Sequence, residues 1–548
     1  MHELEAILRD TVAGGLRRKA VTTPSRWAQS YRMMGQPFPG LWRFNFHPWL
    51  RGMHEATHQI CVGQKAAQLG YTEAVLNITF FKIDIERKDC LYVLPAKTPD
   101  ASDFSASRFD AALELSPHLQ GLFQNVKNVG HKRAGSANLY IRGSNSRGGL
   151  KSIPVAFIVF DELDEMNQDN ISLAEERVSG QPSWQMWKIS TPTAPNHGIN
   201  KEFLLSTQDH FIFKCPRCSK QTELIFPECL KIEGEHRLDP KIKGTHLVCK
   251  ECGGTLQQEE KANFLKDAVW VPFGEKQADR RGFYINQLYS RTIQPWKIAD
   301  IYFAAQIDKA SEQEFFNSKL GLPHVPEGAQ VTDVEISEAI GPRIKSDPAP
   351  EGKLITMGVD QGTWLHYEIA AWDFPRLGND LNMNASCEVL TEGKVLDFTE
   401  LAQLMRQWQI IMCVIDAQPE RRLAYEFAVK HWDHVKLCYY SIGASGKQIV
   451  PDPDDDSHKV SVDRTSWLDV SLNRFHNKTI TLPRDISNEY RVHVKNQIRR
   501  YRKDSNNNPV GEYISIGDDH LGHARCYNEI ALPLAASLNT NTNIKAFL

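Results

Sequence analysis

Six consecutive apolar residues, Val155-Ala156-Phe157-Ile158-Val159-Phe160, run directly into Asp161-Glu162. Six such residues cannot cross a bilayer, so the run belongs in a core, as a strand buried on both faces of a sheet. Further apolar runs, Gln59–Val62, Cys90–Leu94 and Met186–Ser190, alternate with helix-like stretches between residues 36 and 210. That alternation predicts a parallel α/β sheet. A buried strand with two carboxylates at its tip suits the acid end of a nucleotide site. Asp161 would hold magnesium and Glu162 would polarise the attacking water.

The matching phosphate loop is Gln64-Lys65-Ala66-Ala67-Gln68-Leu69-Gly70-Tyr71-Thr72, ahead of a predicted helix from Glu73 to about Ile83. Phosphate binding calls for backbone N–H groups at a helix start, a cation and a hydroxyl. Gly70 permits the turn, Thr72 supplies the hydroxyl, and Gln68 belongs to the loop. Tyr71 stands where the usual lysine would precede the hydroxyl, and Lys65 is the candidate substitute. Ser190-Thr191-Pro192-Thr193 ends another strand-like run and is a candidate for γ-phosphate sensing and coupling, or a simple turn. Trp27, Gln29, Tyr31 and Trp42 precede the loop as candidate adenine contacts, although such residues more often serve a core.

Cys215-Pro216-Arg217-Cys218 and Cys249-Lys250-Glu251-Cys252 are two CxxC knuckles separated by thirty residues, the second followed by Gly253-Gly254. Four thiolates in this layout predict one closed tetrahedral structural Zn²⁺. Cys229 lies between them and is not expected to be a ligand. The chain holds 11 cysteines, and a metal site in a reducing compartment accounts for the paired ones better than a disulfide framework.

Beyond Gly341-Pro342 and the Pro-rich stretch 347–352, a second α/β unit begins at Lys353. Strands are expected at 353–360, 367–374 and 386–396, a helix at 398–408, and a strand from Ile410 to Asp416. Asp360 and Asp416 each end an apolar run, the arrangement by which an RNase H-like fold builds a two-metal site. A third ligand should come from Asp518-Asp519-His520-Leu521-Gly522-His523, at the start of a helical stretch running to about Leu538. Asp519 and His523, four apart, share one helix face, and the third ligand stays open among Asp518, Asp519 and His523. Arg491, Lys495, Arg499, Arg500, Arg502 and Lys503 form the densest basic cluster, with a turn at 504–509 and a returning strand at 512–516. They are candidate DNA-phosphate contacts, because a net charge of -3 leaves polyanion binding to local patches. Asp452, Asp454, Asp455 and Asp456 lie in an acidic loop.

Together these residues resemble the large terminase subunit of tailed phages, in the lambda-like (GpA) branch, over roughly residues 25 to 540. Lys65–Thr72 is similar to that branch's deviant phosphate loop, Phe160-Asp161-Glu162-Leu163 to its Walker B end, and Ser190-Thr191-Pro192 to its coupling motif. The resemblance implies an α/β chain: an N-terminal arm (1–35), a P-loop ATPase domain (36–210), a zinc-ribbon-like module (211–256) and a mostly helical remainder (257–340). A linker (341–352) and an RNase H-like nuclease domain (353–548) follow. It implies ATP with Mg²⁺ at Lys65, Thr72 and Glu162, and Mg²⁺ or Mn²⁺ at Asp360 and Asp416. It further implies translocation of double-stranded DNA into a procapsid, cutting of the concatemer, a small terminase subunit, docking on the portal protein, a homo-oligomeric ring, and action in the host cytoplasm with no membrane. His523 replaces the aspartate of the family's acid-His-x-x-Asp pattern, which leaves the metal preference open between Mg²⁺ and Mn²⁺. Two other readings share these features: a helicase-like repair or recombination ATPase with a nuclease, and a zinc-bearing DNA-binding protein with degenerate sites.

Overall fold

The computed structural model describes residues 21–123, 126–151, 153–275, 278–373, 381–441, 458–503 and 508–545. Arg17-Arg18-Lys19, the acidic loop around Asp452 and the turn residues 504–507 lie outside them. The chain divides into two compact units, Met1–His324 and Val325–Leu548.

The first unit is built on an 11-stranded sheet. Its parallel centre contains β1 (Ile60–Lys65), β2 (Cys90–Leu94), β3 (Ala137–Gly143), β4 (Phe157–Asp161), β5 (Gln185–Ser190), β6 (Asp209–Lys214) and β7 (Arg280–Ile285). The order is β6-β7-β1-β5-β4-β2-β3, every neighbouring pair parallel. The strand β4 is buried along its whole length, as the apolar run requires. One strand, β5, separates it from β1, so the phosphate-loop strand and the acid-bearing strand end at the same edge with a gap between them. Sequence pattern missed β7: residues 257–340 read as mostly helical, yet Arg280–Ile285 pairs in parallel along all six residues of β1. Its charged start, Arg280-Arg281, hides a strand whose last four residues are buried.

Helix α1 (Tyr71–Asp84) follows the loop and is buried over most of its surface. It is pinned by a polar chain that no local pattern reveals: Arg32 Nε donates to Asn77 Oδ1 (3.1 Å), and Arg32 Nη2 meets Glu73 Oε2 at 2.7 Å. The 211–256 region contains β6, the knuckles and a three-stranded antiparallel sheet, Leu230–Lys231, His246–Val248 and Thr255–Leu256.

The second unit has a seven-stranded sheet. Three antiparallel strands, β8 (Leu354–Gln361), β9 (Leu365–Asp373) and β10 (Ser386–Val395), lie on one side. On the other, β11 (Met412–Asp416), β12 (Val435–Ser441) and β13 (Lys459–Asp463) run parallel to β8 in the order β13-β12-β11-β8-β9-β10. This is the RNase H-like order. Helices α2 (Arg421–Lys430), α3 (Arg464–His476), α4 (Asn488–Lys495) and α5 (His520–Lys545) and the hairpin of β14 (Gln497–Lys503) and β15 (Pro509–Ser515) complete it. The expected linker 341–352 falls inside this unit. Val331 and Ile336 are buried in its core, and the Gly341 N–H donates to the Leu482 carbonyl at 2.8 Å, so the preceding segment is already part of it.

Candidate functional sites

The phosphate loop leaves β1 at Lys65 and turns through two left-handed residues, Gln68 (φ 61°) and Gly70 (φ 82°). A Cβ at Gly70 would meet Leu50 Cδ1 at 2.8 Å, so backbone conformation and packing both demand glycine there. Ala66 and Ala67 N–H groups are taken by the Ile285 and Ser318 carbonyls (2.9 and 2.8 Å). The N–H groups of Gln68, Leu69 and Gly70 have no protein acceptor among the described residues, which leaves them available to an anion.

Lys65 reaches across the sheet edge to Glu162, with Nζ 2.8 Å from Oε1. Thr72 Oγ1 donates to Asp161 Oδ1 at 3.2 Å, and Tyr92 OH donates to Asp161 Oδ2 at 2.7 Å. Glu162 occupies the left-handed region (φ 62°, ψ 57°), unusual for a residue with a Cβ, and is held there by its N–H to the Ile189 carbonyl at 2.9 Å. Its second oxygen faces Ser190 Oγ, Thr191 N and Thr191 Oγ1, each at 3.4 Å. Burial and the charge of Glu162 push the Asp161 carboxyl up to about 6. Glu162 is only partly buried, and the Lys65 ammonium outweighs its desolvation and holds the carboxyl below its ordinary range. A cleft of about 600 Å³ opens beside Glu162, lined also by Pro95, Asp103, Arg108 and Asn145.

Aromatic side chains on and ahead of the loop turn inward. The Tyr71 side chain points into the core, 1% exposed, against Gly63, where an added Cβ would lie 2.7 Å from its ring. Only its backbone can face a phosphate. Trp27 and Trp42 are likewise buried, and Trp27 Nε1 donates to Asp84 Oδ2 at 2.9 Å on the flank of α1. Two residues of the site were missed. Tyr92 sits within an ordinary apolar strand. Gly321 (φ 66°) backs the loop so closely that a Cβ would stand 2.6 Å from Ala66 N. A lone glycine some 250 residues from the loop carries no local signal.

Cys215, Cys218, Cys249 and Cys252 place their sulfurs within 4.8 Å of one another; among the described residues no other group of three or more His, Cys, Asp or Glu side chains is so close. Each knuckle closes a tight turn, Ser219 N–H to the Cys215 carbonyl (2.9 Å) and Gly253 N–H to the Cys249 carbonyl (2.8 Å). Gly253 has φ 67°, the conformation for which a glycine follows the knuckle. Cys229 is turned away, its Sγ on the Glu223 carbonyl.

In the second unit, β8 and β11 are parallel with Val359 opposite Ile415, so Asp360 and Asp416 occupy the next rung side by side. Burial pushes the Asp416 carboxyl up to about 6; the charge of Asp360 adds to this, while the Gln418 N–H, His523 and Tyr527 oppose it. Helix α5 crosses β8 where a Cβ at Gly358 would strike the Ala524 carbonyl (2.0 Å) and Asn528 N (2.2 Å). That approach brings the helix start to the acids, with an unexpected result. His520 reaches Asp360, Nδ1 2.8 Å from Oδ2, whereas Asp519 turns to His523 at 3.3 Å. His523 also accepts from Tyr440 OH at Nδ1, 3.3 Å. His366 stacks on His520 with ring centroids 4.5 Å apart, and His493 stands 5.9 Å from both. Burial and the neighbouring His520 push His366 down to about 4.

Two family descriptions match the chain: phage terminase large subunit gpA, ATPase domain, over residues 36–270, and terminase large subunit gpA, endonuclease domain, over residues 280–379. Together they cover more than half of its 548 residues. The chain belongs to the GpA family of phage terminase large subunits. It has their ATPase and endonuclease domains and the corresponding activities. Solved structures similar to it include the HK97 bacteriophage large terminase (10% identity, 93% of this chain and 98% of that chain, TM-score 0.48). A large terminase from a thermophilic bacteriophage is also similar (11%, 89% and 98%, 0.32), as is the large terminase nuclease of thermophilic phage G20c (11%, 36% and 97%, 0.23). No curated protein matches the chain. No helix among the described residues is long and apolar enough to cross a membrane.

Within this terminase the expected DNA-binding hairpin is largely spent on itself. Arg499 forms a two-pronged pair with Asp469 (2.7 and 2.9 Å), Arg500 is 9% exposed and pairs with Glu512 (3.0 Å), Arg502 also faces Glu512 (3.6 Å), and Lys495 binds Asp333 (2.7 Å). Lys503 is also engaged, which leaves Arg491 with no ion-pair partner among the described residues. A second network lies beneath the acids. Fully buried Arg525 bonds Glu368 (2.6 Å) and Glu529 (2.5 Å), Arg474 reaches Glu529 (2.7 Å), and Tyr490 OH donates to Glu368 (2.6 Å). It clamps α5 to the sheet and so fixes where His520 and His523 stand.

Proposed function

We propose that this terminase hydrolyses ATP at the Lys65–Glu162 edge to drive double-stranded viral DNA into a procapsid. In this reading it cuts the DNA concatemer at Asp360–Asp416. The observation that carries the first part is the meeting of Lys65 Nζ with Glu162 at 2.8 Å beside the Thr72–Asp161 contact at 3.2 Å. Four residues from two separate stretches of sequence converge with the chemistry that a Mg²⁺–ATP complex requires. The free loop N–H groups and Lys65 receive the phosphates, Thr72 and Asp161 hold Mg²⁺ when it is bound, and Glu162 orients the attacking water. Ser190 and Thr191, against the second Glu162 oxygen, couple its position to the β5 end. Binding of a nonhydrolysable ATP analogue should be lost in Lys65→Ala and kept in Glu162→Gln; equal binding by both variants and the parent chain would reject the site.

For cutting, Asp360, Asp416 and imidazole nitrogen from His520 or His523 form a mixed oxygen–nitrogen set that suits Mn²⁺ at least as well as Mg²⁺. These ions stabilise charge on the attacking and leaving oxygens of a phosphodiester when bound. The four cysteines hold a structural Zn²⁺. Residues 36–210 and 257–324 form the ATPase domain around the 211–256 zinc module, and 325–548 carries the nuclease. The small terminase subunit, the portal protein and a homo-oligomeric ring are its partners in the host cytoplasm.

A further inference from the structure

Most cations of the expected basic cluster are already engaged within the protein, and a second cationic surface follows Asp416 in the chain. Arg421 and Arg422 open α2, five and six residues after Asp416. The parallel strands β8 and β11 end at one sheet edge, and the short 417–420 connection keeps both arginines near it. Both side chains are exposed. The Arg421 guanidinium lies 6.0 Å from the ring centre of Tyr439 on β12, and no carboxylate among the described residues is within ion-pair distance of it. The one acid near Arg422 is Glu426 at 3.8 Å, with the two side chains 83% and 61% exposed. A solvent-screened pair of this kind leaves the cation available to a stronger anion.

The opposite flank does not offer the same surface. There Lys394 on β10 is held by both oxygens of Glu489 (2.8 and 3.2 Å), and Trp364 is the exposed neighbour. The asymmetry gives a direction: carboxylates over β8 and β11, unspent guanidinium over β12. Strands lie about 4.8 Å apart, so β12 stands roughly 10 Å from β8. Phosphates of one DNA strand advance about 3.4 Å along the axis, so that offset corresponds to about two to three nucleotides. A planar guanidinium presents paired donors that match phosphate oxygens.

We propose that Arg421 and Arg422 bind backbone phosphates of duplex DNA about two to three nucleotides from the phosphodiester placed over Asp360 and Asp416. This rests on the nuclease reading above. The arginines touch flanking phosphates and not the reacting one, so they act on DNA affinity and leave the bond-breaking step alone.

The test uses the full-length chain, Mn²⁺ and a linear duplex oligonucleotide across a series of salt concentrations. Arg421→Gln/Arg422→Gln should raise KM for DNA roughly tenfold with kcat preserved, and lower the slope of log affinity against log salt by about 1.8, or 0.9 per lost contact. Arg421→Lys/Arg422→Lys should recover most of that slope, and ATP hydrolysis measured without DNA should be unchanged in both. An unchanged slope and KM in the glutamine variant would overturn the assignment. If the double variant melts early, Arg421→Gln alone decides the question by the same criteria at half the slope change. Asp416→Ala, assayed in parallel, distinguishes loss of the metal site from loss of the phosphate contacts. Cutting that survives Asp416→Ala defeats the nuclease reading itself; cutting lost there with normal DNA binding in the arginine variant defeats only this inference.

Discussion

Glu162, beside Asp161, faces a lysine 2.8 Å away, whereas Asp360 and Asp416 lie side by side near a set of histidines. Both are acid pairs at the carboxyl ends of parallel strands, yet their electrostatics differ. In the ATPase unit the chain supplies its own cation, and Lys65 holds Glu162 ionised. In the nuclease unit the nearest partners of Asp416 include the like charge of Asp360, and burial pushes Asp416 up to about 6. Like charges side by side are relieved by a proton or by a divalent cation. Glu162 is thus compensated within the polypeptide, whereas Asp161 and Asp416, each pushed up to about 6, are arranged to be completed by a divalent cation. The comparison teaches that the same local motif, an apolar run ending in an acid, takes its function from what lies opposite.

The comparison can be broken most sharply at Glu162. Glu162→Gln keeps the shape and removes the base, and should slow ATP hydrolysis by about 10²–10⁴-fold, read as DNA-stimulated phosphate release. A variant within a few-fold of the parent would remove Glu162 from the chemistry. Next comes Asp416→Ala, which should cost cutting about 10³-fold in Mn²⁺, the several kcal/mol that a lost metal site represents. Retained cutting would show that the acid pair does not hold the metal.

The third effect is on stability. Arg525→Met leaves Glu368 without a cation and Glu529 with Arg474 alone in a fully buried site. Breaking such a network costs about 3–5 kcal/mol. The nuclease unit should unfold at lower denaturant while the ATPase unit does not, and coincident shifts in both would contradict the local clamp.

The smallest effect concerns pH. His54 is buried and lowered to about 4, chiefly by desolvation. Its Nδ1–H donates to the Leu50 carbonyl at 2.8 Å, and Nε2 accepts from Asn77 Nδ2 at 3.3 Å, which suits the neutral ring. The unfolded chain takes up this proton near 6.5 and the folded chain near 4, so stability present above 6.5 is lost as pH falls through that window. The loss is about 3 kcal/mol. His54→Gln should flatten the decline of the unfolding midpoint between those values, and an unaltered decline would show that another group controls it.

Much of this was legible because the signals are local. Lys65, Thr72 and the Asp161-Glu162 tip sit on recognisable strand-turn-helix and strand-end patterns, and each pair of zinc-type cysteines is three residues apart. The alternation of apolar runs gave the sheet around the phosphate loop. What failed was long-range. The basic cluster looked unpaired because Asp469 and Asp333 come from elsewhere in the chain, and Glu512 meets Arg500 only once the two hairpin strands pair. The segment at 518–523 does approach the acids, but helix phase alone could not show that the packing at Gly358 turns His520 to Asp360 and leaves Asp519 with His523. Tyr71 stood at a lysine position by spacing, yet the space beside Gly63 draws its ring into the core.

The most direct test measures both activities in both variants, ATP hydrolysis and Mn²⁺-dependent cutting in Glu162→Gln and in Asp416→Ala. Two independent acid sites predict a crossed result, with hydrolysis lost and cutting kept in the first, and cutting lost and basal hydrolysis kept in the second. Loss of both activities in either folded variant, or of neither, would contradict it.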